Sequence, residues 1–135
     1  MIVFGSALYL AQVISSINFP LAQRLGLQEN PAKTDTLLIR SERYVAYWDL
    51  VVLIWFPISG FLMSIDHRWW PLFSLFSGAI YLDTAGREAC KNLSFKYHGL
   101  KVGSPNQWQL FFATYIFMAV LALFVVFYAI KELTK

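Results

Sequence analysis

WWPLFSLFSGAIYLDTAGREAC, residues 69–90, decides how many times this chain can cross a bilayer. An α-helix rises about 1.5 Å per residue, so about 20 apolar residues span a hydrocarbon core. The charge-free part, 69–82, is too short alone. The segment qualifies only by continuing through Asp83, which brings Asp83, Arg87 and Glu88 to the level of the interface. Read so, it is the third of four spans; the others run over about 2–23, 43–65 and 107–130. The predicted fold class is an all-α integral membrane protein. Its single domain, 1–135, holds four transmembrane helices in an up-down bundle, with both termini on the non-cytoplasmic side.

Composition agrees with lipid as the solvent. The chain is 58% hydrophobic and 18% aromatic, and only 14% charged. A soluble domain carries about a quarter charged residues, so this one lacks the polar atoms to cover itself. The net charge of +3 is small and the basic residues cluster between spans, which argues for topology signals and against a nucleic-acid partner. Residues 1–23 carry no charge and lack the basic start of a signal peptide, so they read as a retained first span. Cys90 is the single cysteine and forms no internal disulfide.

The connections set the expected orientation. GLQENPAKTDTLLIRSER, residues 26–43, joins spans one and two, with Gly26, Asn30 and Pro31 as helix breakers. Only Asp66–His67–Arg68 separates spans two and three, and Trp69 and Trp70 follow as an interfacial aromatic pair. Arg24, Lys33, Arg40 and Arg43 lie near the first connection; Arg87, Lys91, Lys96 and Lys101 lie near the third. The positive-inside rule places both in the cytoplasm.

Asp83, Arg87 and Lys91 recur every fourth residue, so they share one helix face, where Asp83 can pair with Arg87. Span two begins at the same level, with Arg40 and Arg43 just below Asp49. These residues, with Glu88, are the expected binding cluster: Arg40, Arg43, Asp49, Asp83, Arg87, Glu88 and Lys91. Two readings stand. Ionisable groups inside a membrane mark functional sites, here a polar pocket open to the cytoplasm. The same groups near an interface also snorkel, or pair to hold neighbouring helices in register.

Other chemistry finds little support. His67 and His98 fall on opposite sides of the membrane, and neither His-x-x-x-His nor Cys-x-x-Cys occurs, so no metal site is expected. No Gly-x-Ser-x-Gly or P-loop occurs either. Cys90 reads as a passive helix-end residue, with a thiolate favoured by Arg87 and Lys91 as the alternative. Ala7, Ala11 and Ser15, and Ser74 with Gly78, mark faces for close helix packing. Pro57 removes a backbone donor and predicts a kink in span two.

The layout resembles one family, the membrane-associated proteins in eicosanoid and glutathione metabolism. Arg40 and Arg43 in IRSERYVAY, residues 39–47, look like that family's paired arginines at the start of helix two, and SPNQWQLFF, residues 104–112, is similar to its approach to the last helix. The resemblance implies trimers with a cytoplasm-facing glutathione site between subunits. Where the family has asparagine and then glutamate one turn on, this chain has Tyr47 and Leu50, with Asp49 adjacent.

Three functions follow as expectations. The first is a small integral subunit or binding module of a larger membrane assembly, with partner subunits or self-association in the bilayer and no assigned cofactor. The second, implied by the resemblance, is a trimeric enzyme of glutathione-transferase type acting on lipophilic substrates, with glutathione as cofactor. The third is a small transporter or channel subunit using Asp49 and Asp83. A bacterial inner membrane is the expected location, with an organelle membrane as the alternative.

Overall fold

The computed structural model describes residues 1–135, the side chain of Pro31 excepted. It is helical, with no strand among the described residues. Helix α1 covers Ile2–Ile17, α2 Phe19–Arg24, α3 Thr36–Val52, α4 Trp55–Ser64, α5 Trp70–Tyr97 and α6 Pro105–Leu133, with a 3-10 turn at Pro31–Lys33.

The helix expected over 2–23 is two helices. Asn18 leaves the helical region, and its side chain accepts from the Leu21 N–H at 3.1 Å, restarting the chain as α2 with Pro20 in the first turn. Between α3 and α4, Leu53 and Ile54 keep helical angles. The break falls where Pro57 supplies no N–H to the Leu53 carbonyl. Gly26 and Gly99 end α2 and α5 with φ of 74° each, and in both cases the next residue's N–H reaches back to a carbonyl five residues earlier. Ser104 and Gln107 form a reciprocal capping box that starts α6.

Facing pairs show that successive helices run antiparallel. Ser16 meets Ala46 and Gly5 meets Phe56. Ser59 bonds Ser74 at 2.7 Å, and farther along the same pair of strips Glu42 meets Lys91. Gly78 meets Val126, while Asn92 bonds Tyr115. One end of the molecule therefore gathers the two longer connections. An isolated bridge between Thr34 and Val102, with Asp35 N–H donating to Lys101 O at 3.1 Å, ties them together. The core lies toward the middle, where Phe56 stacks on Tyr81 with ring centroids 4.0 Å apart, against Met118, Ala122 and Val125.

Two helical runs are long and apolar enough to cross a membrane: Thr36–Ser64, which is α3 with α4, and α6. Only 33% and 17% of their apolar windows are buried, so most of that apolar surface faces outward. Phe124 and Phe127 of α6, both 68% exposed, are examples. Helix α1 is apolar but shorter, and α5 is one residue shorter than α6 and carries charge through its second half. The structure thus establishes an all-helical protein with two apolar helices suited to membrane association.

Candidate functional site

At the end that holds the longer connections, the helices enclose a cleft of about 230 Å³. Each wall is set by a helical repeat. On α3 the buried positions are Leu38, Glu42, Ala46 and Asp49, three or four residues apart. On α5 they include Tyr81, Thr84, Ala85, Glu88 and Asn92. The 26–29 segment folds back over the cleft. Gln28 donates to Ser15 Oγ at 3.1 Å, Gln23 donates to the Glu29 carbonyl at 3.2 Å, and Gln107 donates to the Gln28 carbonyl at 3.5 Å.

Four carboxylates line this space: Glu29, Glu42, Asp49 and Glu88, each no more than 8% exposed. Lys91 Nζ lies 2.5 Å from Glu42 Oε1 and 2.5 Å from Glu88 Oε2, so one ammonium neutralises part of the cluster. Asn92 donates to Tyr115 OH at 3.2 Å and to the Glu88 carbonyl at 3.0 Å, closing the α6 side. Buried side-chain atoms with no hydrogen-bond partner among the described residues include Asp49 Oδ1 and Gln12 Oε1, which line the cleft, and the Tyr81 hydroxyl on the inward stripe of α5. Such a group loses its water without compensation, at a cost of about 1–3 kcal/mol, more when charged. Glu29, in the connection, is pushed up to about 7, first by burial and then by the neighbouring Glu42.

The rest of the wall is apolar, with Leu8, Leu53, Phe111 and Met118 among its members. The arrangement can hold a cation or protons. Among the described residues no group of three or more His, Cys, Asp or Glu side chains has the form of a metal site. Cys90 is free and exposed.

Of the residues expected from sequence, Asp49, Glu88 and Lys91 come together here. Arg40, Arg43, Asp83 and Arg87 are exposed on the outer faces of their helices. The expected Asp83–Arg87 pair is not formed among the described residues; the pairs made at this end belong to Lys91. The physical reason is rotation: α5 turns the stripe of Tyr81, Thr84, Glu88 and Asn92 inward, which leaves Asp83 and Arg87 outside. Sequence reasoning missed Glu29, Glu42 and Gln12. Glu42 was readable, because it stands two turns before Asp49 on one face of α3.

Comparison of the chain with family models, with curated proteins and with solved structures returns no match.

Proposed function

We propose that the chain is a small four-span membrane protein that works as a binding module, with its ligand in the carboxylate-lined cleft. The observation that carries this reading is Asp49, which lines the cleft with an unpartnered, buried Oδ1. A bare carboxylate oxygen beside apolar walls is costly in an idle structural core and is accounted for by a partner that visits it.

Four spans are supported by the outward apolar surface of α3–α4 and α6, and by helix length. Helix α5, with 28 residues, measures about 42 Å, enough to cross about 30 Å of hydrocarbon if Asp83, Arg87 and Glu88 fall in the last two turns of the crossing and the end from Lys91 onward lies beyond it. The basic residues around both longer connections support an orientation with that end in the cytoplasm and both termini outside. A bacterial inner membrane suits this arrangement. The exposed faces of α1 and α6 offer room for lipid or for partner subunits of a larger assembly.

A second reading has its own support. Arg40, Arg43 and Arg87 are exposed and make no ion pair among the described residues. Such arginines suit an anion held between copies of the chain, as in a glutathione-using trimer. Native mass spectrometry of the protein, released gently from its own membrane, separates the two. The binding-module reading expects the chain, alone or with partner subunits, to carry a small ligand that Asp49→Asn no longer retains. A homotrimer holding glutathione, lost in Arg43→Ala and kept in Asp49→Asn, would replace it with the second reading.

A further inference from the structure

The cleft's chemistry narrows the ligand class, and this step rests on the binding-module reading above. We infer that the cleft takes a lipophilic organic cation, a protonated amine on a small apolar body, with Asp49 as its counterion.

Four carboxylates face the cleft, and Lys91 is committed to two of them, Glu42 and Glu88. Glu29 sits in the 26–29 segment that covers the cleft. The deep carboxyl group with no ion pair among the described residues is Asp49, 3% exposed with Oδ1 unpartnered. A buried charge of this kind asks for an opposite charge that also donates a hydrogen bond. An ammonium N–H does both, and an anion or a neutral hydrocarbon does neither.

The walls decide what the ammonium is attached to. An inorganic cation needs several oxygens at close range, and among the described residues no group of three or more His, Cys, Asp or Glu is placed to hold one. Lining the same cleft as Asp49 are Leu8, Leu53, Phe111 and Met118. These remove apolar surface from water at about 25 cal/mol per Å². Phe111 and Tyr115 also belong to the lining, and aromatic rings attract a cation. A volume of about 230 Å³ equals about eight water molecules at ~30 Å³ each, the size of one ring or a short alkyl chain with its nitrogen. Gln12, whose buried Oε1 also lacks a partner, supplies a second acceptor for another N–H.

The test is isothermal titration calorimetry of the full chain in maltoside micelles with three probes of one size: phenethylammonium, phenethyl alcohol and phenylacetate. Saturable binding of phenethylammonium is expected, at least tenfold tighter than the alcohol, with no binding of phenylacetate. Asp49→Asn should weaken the cation at least tenfold, whereas Asp83→Asn, the same charge change on the outer face of α5, should leave it unchanged. If Asp49→Asn does not fold, the cation-to-alcohol ratio of the unaltered chain still decides. Equal affinity for cation and alcohol would overturn the inference and leave the cleft a ligand site. Failure of all three probes would also overturn it, and the native mass experiment then judges the binding-module reading on its own. Adding phosphatidylethanolamine to the micelles identifies the source: competition assigns the ammonium to a lipid headgroup, and unchanged binding assigns it to a free amine. Both results uphold the cation class.

Discussion

Lys91 stands 2.5 Å from Glu42 and 2.5 Å from Glu88, in a region where both carboxylates are largely withdrawn from water. Removing one partner of such a group leaves the others charged and unpaired, which typically costs about 3–5 kcal/mol. Lys91→Met should therefore lower the unfolding temperature in micelles sharply. Loss of the Lys135–Glu132 pair, whose lysine is exposed, should leave it unchanged. Glu29 adds a pH signature. Its carboxyl rises from 4.5 to about 7 on folding, so between those values the native state binds more protons than the unfolded state. Stability tied to Glu29 is then full below pH 4.5 and is lost as the pH rises through 7, a change on the order of 3 kcal/mol. Denaturant titrations across this range should show a downward slope that Glu29→Gln reduces. Identical slopes in the two proteins would contradict the burial assigned to Glu29.

At the scale of elements, α5 carries two kinds of glycine. A Cβ on Gly78 would lie 2.6 Å from Val126 Cγ2 and 3.3 Å from the Ala122 carbonyl, whereas one on Gly86 would meet nothing within 4 Å. Gly78→Ala should push α5 from α6 and cost about 1–3 kcal/mol. Gly86→Ala should be neutral, or stabilising by up to about 1 kcal/mol through helix propensity. Equal effects would mean that α5 faces α6 differently. The same helix shows what a sequence can and cannot disclose. The helical class and the end at which polar groups gather were legible from the apolar runs and from Gly26, Gly99 and Pro105. Which stripe of α5 faces inward was not. Asp83, Arg87 and Lys91 form one regular ladder, and Tyr81, Thr84, Glu88 and Asn92 form another about a third of a turn away. An all-apolar helix surrounding gives little contrast between the stripes, because lipid and protein interior are alike to an apolar side chain. Alternating charge favours the ladder in the sequence, yet packing turns the mixed polar stripe inward. Glu29 was hidden for a different reason. It lies in a connection, where a fold-back held by Gln23, Gln28 and Gln107 leaves no periodic trace.

For the whole molecule, the issue is what its outer surface touches. Large apolar side chains such as Val3, Ile17, Phe124 and Phe127 are more than half exposed and lie on helices rather than in loops. In water such a surface drives aggregation; in lipid it costs nothing. Most charged residues lie toward the end where Thr34 meets Val102, and the opposite end holds the exposed Trp69, the buried Trp70, Asp66, Arg68 and both termini. The proposed arrangement has four crossings of the bilayer, with the cleft end in the cytoplasm. It is tested most directly by a membrane-impermeant maleimide applied to single-cysteine chains in intact cells and in inverted vesicles. One chain keeps the native, exposed Cys90; the others carry Cys90→Ser with His67→Cys or with Thr134→Cys. Cys90 should react only in inverted vesicles, and the cysteines at 67 and 134 only in intact cells. Reaction of all three from one side would contradict the four-span account, and the reverse pattern would contradict its orientation.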